Sequence, residues 1–115
     1  NYEVYTEFGT HNSGLQPDKW AMRAEELGAG EILITSIEKD GSLQGYDNVL
    51  NRLVSNAVSV PVLVCGGAGN WRHFVDGFNE GDASAVCTTN IYHFTETSIN
   101  SAKAYMRDAG LIVRV

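Results

Sequence analysis

The sequence has few cysteines and few basic residues, and it has no long apolar run. Its 115 residues include two cysteines, Cys65 and Cys87, both in apolar segments, and neither Cys-x-x-Cys nor His-x-x-x-His spacing occurs. A disulfide framework and a zinc finger are excluded on that count, and a reducing, cytoplasmic setting is expected. The longest apolar runs, such as Val60 to Cys65, fall far short of the roughly 20 residues that cross a bilayer. No signal-peptide pattern opens the chain. Eight Lys and Arg stand against 14 Asp and Glu, a net charge of −6 without a visible basic patch. Nucleic acid and anionic membrane are therefore not expected as partners. What is present, 43% apolar and 19% charged residues, suits one ordinary soluble domain, residues 1–115.

Local patterns alternate short apolar runs with helical periodicity, which predicts an α/β plan. Tyr2 to Thr6 alternates like a half-exposed strand and precedes the turn-rich Gly9 to Gly14, as a hairpin arm or sheet edge would. Pro17 suits a first helical turn; Trp20, Ala21, Ala24 and Leu27 recur at helical spacing, and Gly28 supplies a stop. Glu31 to Ser36 is a continuous apolar run read as a strand buried on both faces. Asp47 is placed to cap a helix with Val49, Leu50, Leu53, Val54 and Ala57 on its apolar face. Val60 to Cys65 reads as a second buried strand, with Pro61 confined to its beginning. Asn70 then caps a helix with Trp71, Phe74, Val75 and Phe78 inward, closed by Gly81. A third strand is expected over residues 83–89. Thr97 or Ser98 opens a last helix with Ile99, Ala102, Tyr105, Met106 and Ala109 inward and Gly110 as its stop.

Strand starts near residues 31, 60 and 83 recur roughly every 23 to 30 residues, a β-α repeat. Right-handed crossovers make the three strands parallel and collect their C-terminal loops on one rim, where function gathers. The rim carries three suggestive segments. In Val60 to Asn70 a buried strand runs into Gly66, Gly67, Ala68 and Gly69 before a helix, so backbone N–H groups can crowd an anion such as phosphate. The same glycines would also serve a tight strand-to-helix turn. Thr35 to Asp47 leaves a strand with Glu38, Asp40, Gly41, Gly45 and Asp47. That is either a ligand-facing loop or solvated acidic decoration, with Asp40-Gly41 fitting both a tight turn and an exposed N–H beside a phosphate. Thr88, Thr89 and Asn90 end the last strand with hydroxyl and amide donors, and ordinary strand-end capping would use them too. Cys65 sits at a strand end but has no His near it in sequence to act as its base. His11, His73 and His93 are too dispersed to announce a metal site, and neither metal nor cofactor is expected.

Gly28-Ala29-Gly30-Glu31-Ile32-Leu33, Thr35-Ser36-Ile37, Asp40-Gly41, Gly45-Tyr46-Asp47, Val60-Pro61-Val62, Gly66-Gly67-Ala68-Gly69 and His93-Phe94 stand in an order and spacing of high joint specificity. In them the chain resembles the C-terminal half of the cyclase subunit of imidazole glycerol phosphate synthase, a (βα)8-barrel family of histidine biosynthesis. The resemblance implies a C-terminal half-barrel with parallel strands near 31–36, 60–65 and 83–89. It implies that Asp40, Gly41, Gly66, Gly67, Thr89 and Asn90 hold a substrate phosphate and that Thr35 and Ser36 line the pocket. Glu31, at the other end of its strand, looks like part of the charged ring where ammonia from a glutaminase partner enters. Two positions depart from the family pattern: Asp-Arg-Asp-Gly reads Glu38-Lys39-Asp40-Gly41, and Asn90 stands where Ser is common. Gly9 to Gly14 and Gly81 to Val86 look closer to a cyclase-like branch associated with surface-polysaccharide sugar amidation, the alternative reading. The family's two acid–base aspartates, which end strands one and five, fall outside this chain, so a fragment that is inactive alone is expected. A non-catalytic phosphate-binding module is the other alternative. A half-barrel bares apolar side chains, among them Leu33, Leu63 and Val86, so self-association, as a dimer, is expected.

Overall fold

The structure, a computed structural model, describes residues 2–6, 11–88 and 99–113. Two short strands come first: β1 (Val4–Thr6) and β2 (His11–Leu15) pair antiparallel, so the first segment is a hairpin arm. This two-stranded sheet stands apart from a three-stranded one. Helix α1 (Pro17–Glu26) begins on its proline, and Gly28, at φ +103°, turns the chain out after it. Then follow β3 (Ile32–Thr35), α2 (Asn48–Ala57), β4 (Val62–Cys65), α3 (Trp71–Asn79), β5 (Ala85–Val86) and α4 (Ile99–Asp108). β3, β4 and β5 form one parallel sheet in that order, with Ile34 beside Val64 and Val64 beside Val86. The expected β-α repeat is thus present. The third strand is shorter than 83–89: β5 holds two residues, extended by Ser84 N–H to Val62 O at 2.9 Å and Cys87 N–H to Val64 O at 2.8 Å. The start of the last helix at Thr97 or Ser98 lies outside the described residues.

The helices cover one face of the sheet. Val62 and Val64 of central β4 are buried, with Leu50 and Val54 of α2, Phe74 and Val75 of α3, and Ala102 and Met106 of α4 in the same core. Each of these Val, Leu, Phe and Met side chains contributes about 1.5 to 3 kcal/mol by leaving water. The opposite face is open, and this corrects the reading of residues 31–36 as buried on both sides. Along β3 half-burial and exposure alternate, Ile32 and Ile34 inward and Leu33 outward at 64% exposure. Val86 is also corrected. Its register beside Val64 puts it on the covered face, where a Cβ added to Gly77 of α3 would meet Val86 Cγ1 at 2.9 Å. The row on the open face is instead Leu33, which is exposed, with Leu63 and Ala85 half-buried beside it. Six side chains expected to face inward, Trp20, Leu27, Val49, Leu53, Ile99 and Tyr105, are exposed. A three-stranded sheet offers each helix a strip about one side chain wide, so the flanks of each apolar stripe remain in water. Among the described residues no helix is long and apolar enough to cross a membrane.

Candidate functional site

The C-terminal ends of the three parallel strands meet in a shallow open cleft, lined by Asp40, Gly41, Cys65, Gly66, Gly67, Ala68, Cys87 and Thr88. Its shape follows from glycine. Gly66 and Gly67 hold φ values of +92° and +120°, conformations that side chains rarely adopt. A Cβ on Gly67 would lie 2.0 Å from Gly45 O, and one on Gly69 2.0 Å from Leu43 O. The loop between β3 and α2 therefore packs directly on the backbone of the glycine-rich turn, and Gly45 N–H donates to Gly67 O at 2.7 Å. The reading of these glycines as a tight turn is correct as far as it goes; they admit another stretch of protein backbone.

That loop is held along its length. Ser36 N–H donates to Cys65 O at 3.3 Å, Asp40 N–H to Ser36 O at 2.9 Å, and Lys39 N–H to Ser36 Oγ at 3.3 Å. Tyr46, buried against the core, donates its hydroxyl to Cys87 O at 2.8 Å. Asp47 Oδ1 accepts Leu50 N–H at 3.1 Å as the cap of α2 and also the Tyr2 hydroxyl at 2.9 Å. Desolvation, and then the Asp47 carboxylate, hold the Tyr2 hydroxyl above its ordinary range. Asn70 Oδ1 caps α3 by accepting His73 N–H at 3.0 Å, and Gly69 N–H donates to His73 Nδ1 at 2.9 Å.

What the cleft offers is donors. The N–H groups of Gly41, Gly66, Gly67 and Ala68 have no hydrogen-bond partner among the described residues, whereas buried backbone N–H groups are almost always paired. Gly66, Gly67 and Ala68 are buried residues that line the cleft, so one turn brings three such N–H groups to its wall. Lys39 packs its Cβ against Gly67, within 3.0 Å of where a Cβ there would sit. Such a concave set of N–H groups suits an anion.

The residues expected at the site divide. Asp40, Gly41, Gly66 and Gly67 come together in the cleft. Asp40 N–H is committed to Ser36 O, so Asp40 sets the turn that presents Gly41. Thr35 is exposed at the end of β3 on the open sheet face, and Ser36 is buried as an anchor of the loop; neither lines the cleft. Glu31 is exposed at the opposite end of β3. Thr89, Asn90, His93 and Phe94 lie outside the described residues. Cys65 does line the cleft, but the one imidazole described beside this loop, His73, accepts from Gly69 and does not line it. Ala68 lines the cleft as part of the expected turn, and Cys87 is the lining residue that sequence reasoning missed. Cys87 stands two residues past Ala85, and counting by twos along the strand would have placed it on the face of Cys65.

A family model described as "Histidine biosynthesis protein" matches residues 1–98. The chain belongs to this histidine biosynthesis protein family. Curated relatives include the imidazole glycerol phosphate synthase subunit HisF of Chloroherpeton thalassium and that of Prosthecochloris aestuarii. Each is 44% identical over 115 residues, covering 100% of this chain and 46% of the relative. HisF of Chlorobium luteolum is 46% identical over 114 residues, 99% of this chain and 45% of the relative. The chain spans about half the length of the curated relatives it matches. Among solved structures, a chain of the Amycolatopsis orientalis BexX/CysO complex superposes with a TM-score of 0.58 at 24% identity, over 86% of this chain and 44% of that one. Membership of the family makes the three parallel strands part of a (βα)8 barrel, as the resemblance implied.

Proposed function

We propose that this chain is the phosphate-gripping part of a cyclase subunit of imidazole glycerol phosphate synthase. The observation that carries the site is that the N–H groups of Gly66, Gly67, Ala68 and Gly41, all in residues lining the cleft, have no hydrogen-bond partner among the described residues. Backbone donors hold a phosphate without a basic side chain, and this suits a chain of net charge −6. The bound molecule is a phosphorylated small metabolite; Thr88 lines the cleft beside the donors, and the family resemblance adds Thr89 and Asn90 to the phosphate-holding set. In the whole protein the substrate is phosphoribosyl in character, and ammonia from a glutaminase partner enters past Glu31, at the far end of β3. The relatives' names support this reading. Alone, the 115-residue chain binds and does not turn over, because the family's acid–base pair lies outside it. Its bared Leu33 row drives pairing with a second copy.

Titration with inorganic phosphate, followed by amide NMR, tests the site. Saturable movement of the Gly66, Gly67 and Ala68 amides at millimolar phosphate is expected. Shifts confined to other surfaces would move the site elsewhere.

A further inference from the structure

Of the groups lining the cleft, Cys65 and Cys87 have no part in gripping a phosphate. The ladder between β4 and β5 pairs Leu63 with Ala85 and Val64 with Val86, so the next rung places Cys65 beside Cys87. The last ladder bond, Cys87 N–H to Val64 O at 2.8 Å, closes the Val64–Val86 pair and carries Cys87 to the level of Cys65. Neighbouring strands lie roughly 4.8 Å apart, inside the window of about 4.4 to 6.8 Å over which the Cα atoms of a disulfide are found. Side chains alternate along a strand, so both thiols share the open face with Leu63 and Ala85. Both are half-buried, and both line the cleft. Neither is spent in the core.

We propose that Cys65 and Cys87 form an oxidisable dithiol, which a hydroperoxide converts to an intramolecular disulfide across the rim of the cleft. A Cys65 thiolate attacks the distal oxygen of hydrogen peroxide, breaking the O–O bond and releasing hydroxide, and becomes a sulfenic acid. The Cys87 sulfur, giving up its proton, attacks that sulfenic sulfur and expels its oxygen as a second hydroxide. With the two thiol protons the hydroxides leave as two waters: two thiols are oxidised by two electrons and one peroxide is reduced. Burial, and then the charge of Cys65 beside it, push the Cys87 thiol upward, which assigns Cys87 the later, resolving step. Neighbouring strands carry Cβ atoms farther apart than the roughly 3.5 to 4.5 Å of a disulfide, so closure draws the end of β5 towards β4. Cys87 lies just past the end of β5, where the chain can yield. Thr88 follows directly, so closure shifts it against the Gly66–Ala68 donors. The dithiol stands on strand register alone; only its effect on ligand affinity rests on the phosphate proposal.

The reduced chain, at micromolar concentration, is treated with stoichiometric hydrogen peroxide and digested without reductant. The expected result is one peptide pair linked through Cys65 and Cys87, loss of both free thiols in parallel at a rate independent of protein concentration, and full recovery with dithiothreitol. Cys65→Ser and Cys87→Ser should each abolish the linked pair. Linked peptides formed only between chains, or separate oxidation of each cysteine to sulfinic acid, would overturn the proposal. Phosphate titration of the oxidised and reduced forms is read separately. Weaker binding by the oxidised form is the expected coupling. If neither form binds, the phosphate site is refuted and the dithiol stands or falls on the linked peptide.

Discussion

A methyl group at Gly67 would sit 2.0 Å from Gly45 O on a backbone at φ +120°, while one at Gly30 would meet nothing within 4 Å. Gly67→Ala is expected to cost about 2 to 4 kcal/mol through combined clash and left-handed strain. Gly30→Ala should be neutral or stabilising by up to about 1 kcal/mol, by restricting the unfolded chain. Denaturant melts of the two variants check the contrast. They also show why a bulky residue at Gly67 is a poor probe of ligand binding: it dislodges the β3–α2 loop first. Two single groups add a pH dependence on the alkaline side. Tyr2 and Cys87 both titrate above their ordinary values of 10.0 and 9.0 in the fold, burial being the first cause for each. Between its unfolded and its folded value, each group has lost its proton in the unfolded chain and kept it in the native one, so stability falls with rising pH. The contribution of each is intact below pH 9 and is lost upward from there, Cys87 first. Denaturation midpoints from pH 7 to 11 should show that fall. Cys87→Ser should flatten its lower part and Tyr2→Phe its upper part.

Two helices begin on side-chain caps, Asp47 for α2 and Asn70 for α3. Asp47→Ala and Asn70→Ala should each cost about 1 kcal/mol in thermal melts, with the larger loss at Asp47, whose carboxylate also holds Tyr2. Both caps were legible in the sequence because capping is local chemistry, a short polar side chain three residues before the N–H it accepts. Strand order, helix order and the Gly66–Gly67 turn were legible for the same reason. Burial was not. The run Glu31 to Ser36 reads alike whether one or two faces are covered, and only the open side of the sheet, with Leu33 in water, decides between them. Contacts between distant segments were equally hidden. Arg52 of α2 donates from Nε to Glu80 O at 2.8 Å and from Nη2 to Asn79 O at 3.2 Å, closing the end of α3 across 28 and 27 residues. No local pattern marks such a pair, nor the meeting of Gly45 with Gly67 that shapes the cleft.

The molecule as a whole has one clothed and one bare side. Leu33 is 64% exposed and Ile37 54% exposed on or beside the open face, and such apolar surface favours association. Sedimentation equilibrium should show a mass rising above the 12.5 kDa of one chain as concentration increases, and Leu33→Glu should return it towards that value. A concentration-independent single-chain mass for the unaltered protein would end the pairing proposal. The ties of the β3–α2 loop carry a further consequence, one of order in time. Gly45 is held by Gly67, and Tyr46 by Cys87, 41 residues ahead of it. A chain leaving the ribosome has made all of this loop before either anchor exists, so the loop must wait for two more strands. The cleft is then expected to form late in folding, after the transition state, because both ties span distant segments. A ligand resting there meets only the finished molecule: inorganic phosphate should lengthen the native lifetime in stopped-flow unfolding while leaving the refolding rate unchanged.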